Sequence, residues 1–550
     1  MRARTLTVSL RGMVLLGAGA LAACSSGAPD SVVTPIRVGT RLAAEQTVNR
    51  ALDSMPLSLD PSLATDEPSW DVIDDLFEGL TTLDVDGHAV PGVASSWQVS
   101  ADGKTWVFHL RPNARWSNGD PVTAADFVYA WRREVDPKTG AENSQTLAPI
   151  VNAMPIATAK AAVDSLGVTA VDAHTLRVSL NAPTPYLLSL LANPYLQPLP
   201  RATIERYGEG WTRPGHLVDN GPFVLTGLVI GDRITLTRNP FYWDAATVHL
   251  TRVTFYPLDD AQAQVNRFLA GDVQYTDRFT TSQYPWLKSR LGDQVRTGLF
   301  FATMALGFNM TKPPFAGNRD LRLALTMAVD RKILAEKLLQ GMTAPAYSLM
   351  PPLPGYIVQV PAWVSWGAER RHAEARRLYA AAGYSAAHPL RVELDYPTDP
   401  ARRDLFDALA AMWRVNLGAD VEPYNEEFRV LLQEDALHKT RFFWDAWVGD
   451  YPDPFTFLQT FQTGYDQNSG EYSNPIYDAL LDQARRQPNV TLRYHYFERA
   501  EALLNQDAPY VPFLYYPAEH LIKPYLKGVQ LNIEDRNLSR YMYVLEHEGR

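Results

Sequence analysis

The sequence predicts an α/β protein of about three domains, mixed in its first half and built on a mostly parallel sheet in its second. Three observations carry that reading. Between about 390 and 516, short apolar strands alternate with amphipathic helices, the pattern of βαβ units. Between 45 and 250 the chain reads instead as strands and turns with few helices. A chain of 550 residues that is 46% hydrophobic has enough apolar surface for several packed cores.

The first segment is not part of that body. Arg2, Arg4 and Arg11 precede an apolar run, Met13 to Ala23, that ends in Leu21-Ala22-Ala23-Cys24. A charged start, a short apolar stretch and small residues at a cleavage point mark 1–23 as a signal peptide, far short of the ~20 residues that a spanning helix needs. Cys24 is the sole cysteine and stands directly after the small residues. That placement resembles a bacterial lipobox, in which the cysteine is lipidated and becomes the mature N-terminus. The small, polar Ser25–Ser31 then reads as a tether, so 24–44 is expected to be a lipid-anchored linker. One cysteine excludes a disulfide within the chain. No later apolar run is long enough to span a bilayer.

The formal charge is −10, and it becomes more negative once the three leader arginines are removed. An acidic body is a poor nucleic-acid binder and suits solubility or amine-bearing ligands.

In the first half, Asp84-Val85-Asp86-Gly87 and Ala101-Asp102-Gly103-Lys104 read as hairpin tips, the second leading into the strand Thr105 to Leu110. Asn118 to Pro121 is a turn. Thr123-Ala124-Ala125-Asp126 starts a capped helix bearing Phe127, Val128, Ala130 and Trp131. Thr175–Leu180 and Ile234–Thr237 alternate as half-buried strands do. In the second half, Asn318 caps a helix through Leu321, Leu325 and Ala328, Asp330 can cap its continuation through Ile333 and Leu338, and Gly341 stops it. A charged helix from Trp366 ends at Gly383. Then come strand Leu390–Leu394, helix Leu405–Leu417, a strand from Val421, helix Phe428–Leu437 and a strand from Phe442. Helices Pro475–Arg486 and Leu492–Asn505 precede the closing strand Val511–Tyr516.

The stretch from Phe442 to Pro454 holds the candidate site. Phe442 to Val448 is aromatic or β-branched and reads as one mostly buried strand, and after Asp450 the turn chemistry of Pro452 and Asp453-Pro454 opens a short helix. Asp453 therefore has a capping role. Asp450 stands where a strand ends, the usual place for a ligand group in an α/β domain, although an aspartate bonded to its own turn backbone fits the same position. Motifs for chemistry are absent: the 11 histidines make no HExxH, and no GxSxG, GxxxxGK or GxGxxG occurs outside the leader. The chain is read as no enzyme, with no cofactor or metal.

Nine stretches together carry a resemblance: Leu59-Asp60-Pro61, DLFEGL at 75–80, VPGVASSW at 90–97, the run from Trp106 to Arg133, DNGPF at 219–223, NPFYWD at 239–244, FNMTKPPF at 308–315, the run from Leu321 to Leu334, and GDYPDP at 449–454. With these the chain resembles the family 5 extracellular solute-binding proteins, the oligopeptide- and dipeptide-binding components of ABC importers. The resemblance implies a two-lobed, periplasmic-binding-protein-like fold with a hinge and an extra domain. Domain I would comprise 45–85, 216–300 and 512–550, domain II 86–215 and domain III 301–511.

It also implies site residues. Asp450 matches the family aspartate that pairs with a peptide's α-ammonium group, a charge-assisted hydrogen bond that is strong once water is excluded. Ala446 and Val448 fall where strand backbone bonds the ligand main chain. Trp447, Phe428 and Tyr516 fall at positions lining side-chain pockets, while core packing is the other reading for the latter two. Trp444 and Leu338 stand where some members carry an arginine and a lysine that take up ligand carboxylates. The family's disulfide partners are Ala302 and Val448 here. Arg402 and Arg403 fit either a replacement carboxylate partner or a solvated helix face.

The expected function is a monomeric lipoprotein that captures oligopeptides outside the cytoplasm, anchored to a membrane by its lipid, and delivers them to an inner-membrane ABC permease. The alternatives are a binder of dipeptides, nickel chelates, haem or oligosaccharide, a secreted hydrolase, or a peptide-chaperoning lipoprotein.

Overall fold

Three sheets organise the chain in the computed structural model, which describes residues 36–398 and 400–549. The expected signal peptide, Cys24 and the tether to residue 35 lie outside those residues. In the first sheet, Thr47–Leu52 lies parallel to Arg252–Pro257, which continues antiparallel through Arg233–Arg238 to Phe223–Val229. The second runs Ala94–Val99, Thr105–Leu110, Thr175–Ser179, Val168–Asp172, antiparallel throughout. One hydrophobic core joins both, including Val48, Phe77, Phe108, Trp131, Trp211 and Phe255. The third sheet is built on the 14-residue strand Val295–Phe308, which pairs with Tyr510–Leu521 on one side and with Phe442–Trp444 and Trp447–Val448 on the other. Separate cores cover its two faces.

The local signals become local structure. Thr123 and Asp126 form a reciprocal capping box on Ala124–Val135, and the Asn318 side chain caps Arg319–Met327 by accepting from the Leu321 N–H. The second-half strands and helices stand where the patterning puts them: Arg391–Pro397, Pro400–Leu417, Asp420–Glu426 and Phe428–Ala436 in sequence.

Two expectations need correction. The second-half sheet is mixed, not mostly parallel. Helical crossovers make Arg391–Pro397 parallel to Asp420–Glu426 and Phe442–Trp444, whereas the strands at Val295–Phe308 and Tyr510–Leu521 enter from outside that βα series and pair antiparallel. The segment read as linker to residue 44 contains a strand, Arg37–Leu42, paired antiparallel with Tyr543–Glu548. Its short, half-polar sequence has little strand signal of its own, and a partner some 500 residues away supplies the ladder.

Several residues that carried the family resemblance hold the scaffold together. Asp60 takes a two-pronged bond from Arg133 at 2.8 and 2.7 Å and the Trp211 indole N–H at 3.0 Å. Glu78 accepts from Tyr242, Trp243 and Arg540, and the Asn220 amide clamps the Glu78 backbone.

The long ribbon of Val295–Phe308 and Tyr510–Leu521 slips register between Leu299 and Thr303. At its outer end His520 is buried, with Nε2 at 2.8 and 3.0 Å from the Asp535 carboxylate and Nδ1 at 2.9 Å from the Thr276 carbonyl oxygen. Both ring nitrogens face acceptors, so the ring is an imidazolium. Burial alone would lower its pKa, but Asp535, by charge and hydrogen bond, outweighs burial and raises it to about 9. The folded value lies above the ordinary one of about 6.5, so this stabilisation is complete below pH ~6.5 and disappears as pH rises through about 9. His520→Gln is expected to lose on the order of 3 kcal/mol relative to the parent chain at pH 6.5, and the difference should shrink by pH 9.5. Urea unfolding across that range checks it, and a pH-independent difference would refute it.

Candidate functional site

The predicted strand at 442–448 is interrupted. Phe442–Trp444 and Trp447–Val448 hold one register against Val295–Phe308, with Leu306 opposite Trp444, Thr303 opposite Trp447 and Ala302 opposite Val448. Between them the Asp445 N–H donates to the Ala305 carbonyl at 3.0 Å, and beyond them the Gly449 N–H donates to Phe301 at 2.8 Å. Backbone polar groups alternate sides in an antiparallel ladder, so those of Ala446 and Val448 point away from Val295–Phe308. Among the described residues no strand pairs with that edge at Trp447–Val448. Glycine is required at 449, because a Cβ there would come within 2.3 Å of the Phe301 ring. Ala302 and Val448 face each other directly, with no thiols to link them.

Asp450 follows at the turn. Its Oδ2 accepts from the Thr456 hydroxyl at 2.8 Å, and the Asp450 N–H donates to the Thr456 Oγ1 at 3.1 Å. Asp453 works structurally, accepting from the Phe455 N–H at 2.9 Å and pairing with buried Arg493. Asp450 lines a cavity of about 560 Å³ together with Trp70, Tyr186, Tyr195, Trp447, Tyr451 and Tyr465. Asp450 is exposed to the open cleft, with protein on its other sides. Desolvation raises its pKa above the ordinary carboxylate value, against the Thr456 hydrogen bond. Among the described residues no lysine, arginine or histidine forms an ion pair with it. A partly desolvated carboxylate without an ion-pair partner among the described residues is what an amine ligand would complete.

The cavity walls come from chain segments over 250 residues apart. Tyr186 stacks on Tyr451 with centroids 4.2 Å apart and planes 2° from parallel, and the Asn193 amide donates to the Asp450 carbonyl at 3.4 Å. Trp447 lines the cavity, whereas Ala446, Val448, Phe428 and Tyr516 are not in its lining. Phe428 starts the helix Phe428–Ala436 with half its surface exposed, and Tyr516 is partly buried against the core of the third sheet. Trp444 is buried beneath the Arg402 guanidinium, 5.0 Å from its ring centroid, and Leu338 packs against the same core. Sequence reasoning missed Thr456, Trp70, Tyr186 and Tyr195. The last two lie in a proline-rich loop region whose aromatics were the available signal.

Thr456→Val removes both hydrogen bonds to Asp450. Affinity for an amine-bearing ligand is expected to fall about three- to tenfold at pH 7, and further at pH 5 as the less stabilised carboxylate protonates. Calorimetric titration at the two pH values checks this, and wild-type affinity at both would show that Thr456 does not position Asp450.

The model of the bacterial extracellular solute-binding proteins, family 5, matches residues 88–469. The periplasmic murein peptide-binding protein MppA of Escherichia coli is 39% identical over 94% of this chain and 96% of its own length. The periplasmic oligopeptide-binding protein OppA of the same organism is 36% identical over 97% and 98%. The unliganded open form of MppA superposes with a TM-score of 0.83 at 39% identity, covering 92% of this chain and 99% of the other. These relatives are periplasmic binding proteins, and the two-lobed architecture is theirs as well. The chain belongs to family 5 of the bacterial extracellular solute-binding proteins.

Proposed function

We propose that the chain is the peptide-capturing component of an ABC importer and that Asp450 anchors the ligand's α-ammonium group. The observation that carries this reading is the Asp450 carboxylate, partly desolvated where it opens to an aromatic-lined cleft and without an ion-pair partner among the described residues. The open edge at Ala446 and Val448 supplies main-chain donors and acceptors for a peptide laid beside it as an added strand. Trp447 offers a side-chain wall, with Phe428 and Tyr516 as further wall positions that closure would have to bring in. Domain II at 86–215 and domain III at 301–511 would close on each other about domain I, and the Tyr186–Tyr451 stack is a contact of that kind. The relatives named for oligopeptides and murein peptides support a peptide ligand, and lipidation of Cys24 would hold the body at a membrane surface outside the cytoplasm.

The test is native mass spectrometry of the soluble body lacking Cys24, followed by titration with peptides bearing a free or acetylated N-terminus, cell-wall peptides included. Co-purified short peptides and loss of binding on acetylation support the amine anchor. Equal binding of free and acetylated peptides, or of neither, moves the ligand to another solute class.

A further inference from the structure

We infer that Asp450 and the aromatic rings around it form a cation cage that binds an N-alkylated ammonium, from a prolyl or N-methylated N-terminus to a quaternary one, more tightly than a primary amine. This inference rests on the amine-anchor reading above and names the class of amine.

The rings come from four parts of the chain. Trp70, Tyr186, Tyr195, Trp447, Tyr451 and Tyr465 line the same cavity as Asp450. All but Tyr451 are half-buried, so each keeps part of its surface free of other protein groups. The Trp447 indole N–H donates at 3.4 Å to the Thr456 hydroxyl, which itself donates to Asp450 at 2.8 Å, so that ring is held beside the carboxylate. Burial, and then the charge of Asp450, raises the pKa of both Tyr195 and Tyr465, which puts their hydroxyls within reach of its field. Trp70 meets Tyr195 edge to face at 6.0 Å between centroids, and the stacked pair Tyr186 and Tyr451 adds a flat wall. Aromatic faces carry negative charge density and attract a cation without offering hydrogen-bond acceptors of their own.

Hydrogen-bonding capacity decides which cation fits. Thr456 Oγ1 donates to Asp450 Oδ2 and accepts from the Asp450 and Trp447 N–H groups, so that hydroxyl is saturated. The Asp450 carbonyl oxygen already takes the Asn193 amide at 3.4 Å. A primary ammonium that gives one N–H to the carboxylate turns its other two toward the rings, where burial leaves them poorly met. Methyl groups in the same two directions bring the charge against the same faces with no donor left over, and a cavity of about 560 Å³ has room for them. The other charges on the wall do not oppose this. Arg493 has Asp453 as its partner and Arg485 has Asp482 at 3.7 Å, while Glu142 and Asp466 add negative charge.

The experiment titrates the purified chain by calorimetry with Ala-Ala-Ala, with its N-methyl, N,N,N-trimethyl and N-acetyl forms, and with Pro-Ala-Ala. The trimethylated peptide is expected to bind about tenfold more tightly than the free amine, with the N-methyl and prolyl peptides between them and the acetylated one not binding. Acetylation and methylation both add bulk, but only acetylation removes the charge. Tyr465→Leu should abolish the preference for the trimethylated peptide and Tyr465→Phe should keep it, because the ring carries the effect. If Tyr465→Leu does not fold, Trp70→Leu should show the same loss. Equal or weaker binding of the trimethylated peptide, with the free amine still dependent on Asp450, overturns the cage and leaves the amine anchor standing. A preference that survives loss of the ring in the folded leucine variants also overturns the cage. Failure of every cationic peptide to bind overturns both readings.

Discussion

Asp450→Asn is expected to weaken binding of a free-amine peptide by roughly two orders of magnitude while leaving the fold intact. Removing one partner of a desolvated, hydrogen-bonded charge pair costs about 2–5 kcal/mol, and every 1.4 kcal/mol is about tenfold. Asparagine keeps the shape and can still bond to Thr456, so the loss isolates the charge. Acetylating the peptide should cost the parent chain as much and the variant almost nothing, because each change removes the same interaction. The pH profile follows from the same pair. Binding needs an ionised Asp450 and a protonated amine. Desolvation puts the carboxylate pKa above its ordinary value, so affinity should fall on the acid side as pH drops through that raised value, and on the alkaline side above the amine's pKa of about 8. Full loss on acetylation in the variant, or an acid limb unchanged by the substitution, would remove Asp450 from the anchor.

The second large effect is on stability. Arg493 and Asp453 form an ion pair with side chains 1% and 5% exposed, the guanidinium lying 4.6 Å from the Phe497 ring centroid and 5.3 Å from that of Tyr186. Asp453→Ala leaves that cation buried and unpaired and frees the Phe455 N–H, so a loss of about 3–5 kcal/mol is expected. Replacing both, as Arg493→Met/Asp453→Ala, should cost less than the single change, since no uncompensated charge remains. Denaturant midpoints of the three proteins give the comparison. Asp453 lies three residues beyond Asp450, so the single variant should also bind peptide more weakly. A single variant more stable than the double would contradict the account.

What the sequence determined by itself is local. The caps of Ala124–Val135 and Arg319–Met327, the tips at Asp84–Gly87 and Ala101–Lys104, and the helix and strand order from 390 to 516 follow from side chains bonding to nearby backbone and from burial periodicity, which need no distant partner. The placement of Asp450 at the end of an apolar strand was legible for the same reason. Its meaning was not, because turn aspartates and ligand carboxylates look alike along a chain. Only the tertiary structure decided that this carboxylate meets no cation among the described residues, that Trp70, Tyr186 and Tyr195 face it, and that the strand from 442 to 448 breaks while keeping its register. It also decided the antiparallel pairing of Val295–Phe308 and the union of Arg37–Leu42 with Tyr543–Glu548. Each of these is a contact between residues far apart in the chain, selected by how whole elements pack rather than by the preferences of either segment.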